Sequence, residues 1–358
     1  MRERRRVWGA LLTAVLLASP AVAEAPLRYR NFELAIYCRV DDVRRMAEGD
    51  WLEKSYAALA KDLKIGKVYL ETHRSRVTND RETMLKVKRF FESRGIETAG
   101  GITLVADEGR EFKQFSYTSP ADRKHVEEVV RFTASLFDEL ILDDFFFTTT
   151  KTESDIQAKG TKTWSEFRLA LMREAAQSLV ISPAKAVNPK IKVVIKYPNW
   201  YEHFQGLGFN LETEPKMFDG IYTGTETRDP DAPGQHLQQY LGYFIFRDFE
   251  NLKPGGNGGG WVDTGGMSYM DRYAEQLWLT LFARAPEITL FDFRQPQRKI
   301  MATDRAAWQD QNTSFSFDEM MKPVFIKGGK QVTPSTVARA AGYTFEKVDK
   351  FLGSIGRP

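Results

Sequence analysis

Short apolar or β-branched runs recur along the chain, and the segments between them carry apolar residues at helical spacing. The runs are Glu33–Val40, Lys67–His73, Ile96–Val105, Glu139–Phe146, Ile191–Pro198, Phe218–Glu226, Gly259–Gly266 and Glu287–Arg294. Between them, Val126, Val129, Val130, Thr133, Leu136 and Phe137 follow the i, i+3, i+4, i+7 rule behind a Ser119-Pro120 start signal. Met84, Val87 and Phe91 repeat that spacing before Gly95, and Met270, Tyr273, Ala274, Leu277 and Leu281 repeat it before Pro286. A last helix is predicted over 333–353, with Thr333-Pro334 at its start.

Eight such β-then-α units predict an α/β fold, a closed (β/α)8 TIM barrel of one domain. A doubly wound open sheet is the competing arrangement. It lacks its phosphate-binding turn here, because no GxGxxG follows the first run and no P-loop occurs anywhere.

The opening residues change the charge balance. "MRERRRVWGALLTAVLLASPAVAEA" has a basic start, an apolar run too short to span a bilayer comfortably, and Ala-Val-Ala at 21–23. Residues 1–23 therefore read as a signal peptide and 24–358 as the catalytic barrel domain. Cleavage after Ala23 removes four arginines and one glutamate, leaving 47 basic and 47 acidic residues where the whole chain carries +3. A nucleic-acid partner loses its compositional support. Cys38 is the single cysteine, so no internal disulfide can form and a large core must hold the fold. A bacterial periplasmic or secreted location is expected, with no membrane span after cleavage.

In such barrels the chemistry gathers at the C-terminal ends of the strands. Polar and aromatic residues collect there: Glu71 and His73 on the second strand, Asp143 and Asp144 on the fourth, and Lys196, Tyr197, Asn199 and Trp200 on the fifth. Tyr222 and Glu226 end the sixth, Trp261 and Asp263 the seventh, Asp292 and Arg294 the eighth. Aromatic faces stack on sugar rings while carboxylates and amides meet hydroxyls, so a carbohydrate is the expected partner.

The pair Asp143–Asp144 in "ELILDDFFF" stands out. Adjacent carboxylates repel when ionised, and the phenylalanines after them supply desolvation, so one carboxyl is expected to hold its proton near neutral pH. Alternation along a strand aims one of the two at the barrel axis; Asp144 is the preferred choice, with Asp143 orienting it, and the reverse assignment stays open. Glu226, two strands away, is the candidate second carboxylate, the minimum machinery for cleaving a glycosidic bond. Asp292 with Arg294 also reads as an ion pair closing the barrel. The segment 148–164 is expected to be a loop covering substrate. His73, His125, His203 and His236 form no HxH or HExxH spacing, so neither metal nor cofactor is expected.

"ELILDDFFF" resembles the fourth-strand aspartate pair of glycoside hydrolase family 84, the β-N-acetylglucosaminidases, among TIM-barrel glycoside hydrolases. The resemblance implies substrate-assisted hydrolysis, Asp143 polarising a 2-acetamido group and Asp144 acting as acid and base. The expectation is an exported glycoside hydrolase acting on a poly- or oligosaccharide. Its alternatives are an N-acetylhexosaminidase and a non-catalytic carbohydrate-binding barrel.

Overall fold

The computed structural model describes residues 27–227, 240–263, 269–300, 304, 324–326, 330–332 and 336–355. The proposed signal segment, His236, the end of the seventh run at 264–266 and the Thr333-Pro334 start signal lie outside them.

Eight parallel strands close on themselves: β1 (Glu33–Cys38), β2 (Lys67–Arg74), β3 (Glu97–Ile102), β4 (Glu139–Leu142), β5 (Lys192–Tyr197), β6 (Gly220–Gly224), β7 (Asn257–Asp263) and β8 (Glu287–Phe291). Each pairs with its neighbours in sequence order, and β8 returns to β1 through Glu33–Glu287 to Tyr37–Phe291. The chain forms the (β/α)8 barrel that its pattern predicts.

Each strand serves two cores. Outward residues such as Leu34, Ile36, Val68, Leu70 and Ile288 meet the helices, while Ala35, Tyr37, Tyr69, Ala99, Ile141, Val194, Tyr222 and Trp261 pack inside the barrel. The strands' leading charges close the lower end. Lys67 Nζ lies 2.6 Å from Glu139 and 3.2 Å from Glu287, and the Tyr69 and Tyr222 hydroxyls donate to Glu287 at 2.7 and 3.0 Å. Inside β3, a Cβ on Gly101 would come 2.5 Å from the Tyr37 ring, so glycine there lets Tyr37 cross the barrel.

Local signals position the helices. Ser119 caps Pro120–Ala134 by accepting from Asp122 N, and Asp80 caps Arg81–Glu92 by accepting from Thr83 N at 2.9 Å. The last helix is Val337–Ser354, capped by Thr336. The 148–164 segment carries a short helix of its own, Glu153–Lys159, held by a reciprocal Thr152–Asp155 capping box. Its Thr150, Thr152 and Ser154 line a separate outer cavity rather than the central pocket. Apolar periodicity misses this helix because Ile156 is its single large apolar residue.

Candidate active site

The central pocket is a cavity of about 380 Å³ at the C-terminal mouth of the barrel. Arg74, Asp143, Asp144, Lys196, Glu226, Trp261 and Asp263 line it, with Glu108, Phe112, Phe145, Phe147, Trp200 and Phe291. Inward parity explains part of that list. Lys196, Trp261 and Phe291 stand two residues beyond Val194, Gly259 and Thr289 on their strands, and alternate residues share a face.

At β4 the regular strand stops at Leu142, before either aspartate. The chain then turns, with Phe145 N donating to Asp143 O at 2.7 Å. Alternation therefore no longer separates the two carboxyls, and both reach Lys196. Its ammonium lies 2.6 Å from Asp144 Oδ2, 3.3 Å from Asp143 Oδ1 and 3.4 Å from Glu226 Oε1, over the Trp261 ring at 4.5 Å. Three carboxylates from β4 and the end of β6 thus share one buried cation.

The two aspartates differ in what surrounds them. Asp143 Oδ2 accepts from Arg74 Nη2 at 3.2 Å and Thr103 Oγ1 at 3.1 Å, while Oδ1 accepts from Asp144 N at 2.9 Å as well as from Lys196. Burial alone would raise its carboxyl, but Lys196 and Arg74 overcome that and hold it below the usual value. Among the described residues, Lys196 is the one cation paired with Asp144. Burial pushes it up to about 7, and the negative Asp143 and Glu226 add to the rise against the pull of Lys196. Lys196 itself is raised, since Asp144, Glu226 and Asp143 outweigh the effect of burial. The arrangement is an ionised Asp143, a charged lysine, and an Asp144 that carries its proton near neutral pH.

Beneath this layer Glu71 acts as an anchor. It accepts from Tyr37 Oη at 2.8 Å, Val40 N at 2.6 Å, Thr103 Oγ1 at 2.5 Å and Arg74 Nε at 3.0 Å. Arg74 then reaches Asp143. A register shift between Glu71 and His73 against β3 reverses the parity of β2, turning Arg74 in and His73 out.

The expected rim residues therefore divide. Lys196, Trp200, Trp261 and Asp263 line the pocket with the three candidate catalytic carboxylates. Asn199 is close behind, its amide donating to the Glu226 carbonyl. Glu71 and Tyr222 lie in the barrel below, Tyr222 bonded to Glu287 and Thr289. His73 faces away, its Nε2 3.0 Å from His125 Nε2 on the outer helix. Tyr197 points into the outer core, stacked on Phe249 with centroids 5.2 Å apart, because its parity is opposite to that of Lys196. Asp292 accepts from Arg294 N and Gln295 N, and Arg294 Nε pairs with Asp42 at 2.5 Å rather than with Asp292. Arg74, Glu108, Phe112 and Phe291 were not legible as pocket residues. Phe291 alone had a signal, the inward parity it shares with Glu287 and Thr289.

Residues 21–354 match the family described as "Probable glycosyl hydrolase, catalytic domain". The chain belongs to that family. It is a glycoside hydrolase catalytic domain. An uncharacterized protein of Saccharolobus solfataricus is 30% identical over 307 residues, a match covering 75% of this chain and 50% of that protein, so the chain spans about half the length of this curated relative. The fold is similar to a family 5 glycoside hydrolase from Bifidobacterium longum, with TM-score 0.54, 11% identity, and 90% of this chain and 79% of that one covered. It is also similar to the catalytic domain of β-amylase from Paenibacillus polymyxa, with TM-score 0.50, 9% identity, and 78% and 95% covered. At such identities the likeness shows a shared fold.

Proposed function

We propose that this glycoside hydrolase cleaves an oligo- or polysaccharide with Asp144 as general acid and Glu226 as the second carboxylate, and that it works after export. One observation carries the reading. Carboxylates from two separate strand ends meet over one lysine at the floor of an aromatic-walled cavity, and the environment protonates one of them. Among the described residues of the lining, Glu108, Asp143, Glu226 and Asp263 face Arg74 and Lys196 beside the protonated Asp144, so positive charge developing on a bound sugar ring is favoured.

The spacing supports retention of configuration. Asp144 Oδ2 and Glu226 Oε1 can be no farther apart than the sum of their distances to Lys196 Nζ, 6.0 Å. Retaining pairs sit at about 5–5.5 Å and inverting pairs at about 6.5–9.5 Å. In the first step Glu226 attacks the anomeric carbon as the glycosidic C–O bond breaks, and Asp144 passes its proton to the departing oxygen. Lys196, already at hydrogen-bond distance, stabilises the aspartate anion left behind. In the second step that anion takes a proton from water, which displaces Glu226 from the sugar.

The substrate-assisted reading is less well supported. Both Asp143 oxygens already accept hydrogen bonds from neighbours, which leaves this carboxylate poorly placed to polarise an acetamido group. A purely binding barrel has no need of a carboxyl raised to about 7. Export is supported by the basic, then apolar, then Ala-Val-Ala opening, which lies almost entirely ahead of the matched domain.

The test is turnover of a panel of α- and β-linked oligosaccharides followed by NMR of the first-formed anomer. Retention is expected. First-formed product of inverted configuration would remove Glu226 as nucleophile, and tight binding without turnover would favour the binding barrel.

A further inference from the structure

Strands Val105–Asp107 and Lys113–Gln114 form a small antiparallel hairpin that stands over the mouth between β3 and the next helix. The start of its connecting loop is clamped to the rim. Glu108 reaches Arg39 Nη2 at 2.8 Å and Arg74 Nη1 at 3.3 Å, and its backbone N donates to Ser75 Oγ at 3.0 Å. At its tip, Glu111 and Phe112 both have left-handed backbones, with φ of 49° and 54°. Neither residue is glycine or asparagine, so the turn is held in a conformation that its side chains disfavour.

Phe112 gains little burial in exchange. The residue is 44% exposed, yet it lines the catalytic pocket and stacks on Phe145 with centroids 5.1 Å apart and planes 14° apart. Phe145 in turn stacks on Phe147 at 6.2 Å, and Phe147 meets the Trp200 ring edge-on at 5.6 Å. A row of aromatic rings thus runs from the hairpin tip across one wall of the pocket. A phenylalanine that served only the hairpin would be covered. A turn that needed only its shape would be satisfied by glycine.

The row also has a side. Phe145 directly follows Asp144, and Glu226 comes from the end of β6. A general acid protonates the oxygen of the departing sugar, so whatever stacks next to Asp144 belongs to the leaving group.

We propose that Phe112, backed by Phe145, forms a leaving-group subsite that takes the apolar face of a pyranose ring, which makes the substrate an oligosaccharide extended beyond the bond cleaved. This rests on the glycosidase reading above. The hairpin then acts as a specificity element, with its aromatic tip fixed at the mouth by Glu108.

Glycosyl fluorides provide the reference, because fluoride is too small to touch the platform. The α- and β-fluorides of glucose, galactose, mannose, xylose and N-acetylglucosamine are compared with disaccharides of the same sugars, and the readout is kcat/KM for disaccharide over fluoride. Phe112→Ala is expected to lower that ratio about three- to tenfold, the effect of one stacking contact. Phe112→Tyr, which keeps the ring face, should restore it to within about twofold. Thermal melts accompany both variants, and a ratio cancels any loss of folded enzyme. If wild type hydrolyses a fluoride and the Phe112→Ala ratio stays at the wild-type value, the platform is refuted and the glycosidase reading survives. An equal fall in the Ala and Tyr variants also refutes stacking. If wild type hydrolyses no fluoride and no disaccharide, the glycosidase reading falls and takes the subsite with it.

Discussion

Replacing Asp144 with asparagine should cost activity and gain stability, each with its own pH dependence. The side chain is buried, with a carboxyl pushed from 3.8 up to about 7, first by burial and then by Asp143 and Glu226 against Lys196. Below about pH 4 the folded and unfolded chains both hold this proton. Between about pH 4 and 7 the unfolded chain releases it and the folded chain does not, so wild-type stability falls as pH rises. Above about pH 7 the full penalty stands, roughly three units at about 1.4 kcal/mol each, or about 4 kcal/mol. Asparagine removes the titration. It also takes from Lys196 its nearest partner, but Asp143 at 3.3 Å and Glu226 at 3.4 Å remain. Relative to wild type, Asp144→Asn is therefore expected to gain about 2–4 kcal/mol between pH 4 and pH 8, read from urea unfolding at both values. The same change removes the proton donor. kcat/KM on a disaccharide should fall about 10²–10⁴-fold, the usual worth of general acid catalysis. On a dinitrophenyl glycoside, whose leaving group departs as a stable anion, the loss should be far smaller. Wild-type kcat/KM on the disaccharide should decline above about pH 7, and the variant should lack that limb. Equal losses on both substrates, or a stability difference independent of pH, would refute the account of Asp144 as a buried acid.

Lys196→Met leaves three carboxylates facing one another without their shared cation. It should destabilise the fold by about 3–5 kcal/mol in urea unfolding, and any remaining activity should keep its alkaline limb about 1–3 pH units higher. Glu214 lies outside the pocket, where burial pushes its carboxyl from 4.5 up to about 8, with Asn210 N and Tyr197 Oη donating to it at 3.1 and 3.4 Å. A raised carboxyl costs stability as pH climbs through that window, so Glu214→Gln should melt higher than wild type at pH 9 by up to about 5 kcal/mol equivalent, and the gap should close near pH 4.5. Gly342 sits where the last helix meets the Asp62 carbonyl, and an added Cβ would lie 2.1 Å from that oxygen. Gly342→Ala should cost at least about 1–3 kcal/mol in a thermal melt, because a backbone atom has little room to give way.

Much of the barrel was legible because its signals are local. Ser119 before Pro120, the spacing of Val126 to Phe137, and the β-branched runs each act within a turn or two of chain, so they survive in a linear reading. The site was legible where parity held or where the residue was chemically odd. Asp143 and Asp144 could be singled out by composition, and Lys196, Trp261 and Asp263 by position at a strand end. The reading failed where a strand departed from ideal geometry. The bulge in β2 exchanges the roles of His73 and Arg74, and strand-end position without regard to parity wrongly placed Tyr197 and Asp292 in the pocket. The capping box of Glu153–Lys159 shows the complementary failure, a helix set by polar residues in a segment read for its lack of apolar ones.

The sequence by itself determined the alternation of strand and helix, the closure into one barrel, and the gathering of acids and aromatics at one rim, since hydrophobic period and turn chemistry are properties of neighbours along the chain. It also singled out an aspartate pair whose mutual repulsion had to be answered. Only the tertiary structure decided how. Arg74 and Lys196 come from β2 and β5, many residues from Asp143, and they hold that carboxylate below its usual value while Asp144, whose cation among the described residues is the lysine, is pushed up to about 7. The electrostatic environment of a buried carboxyl is a sum over atoms within a few ångströms, and which atoms those are depends on the closed barrel.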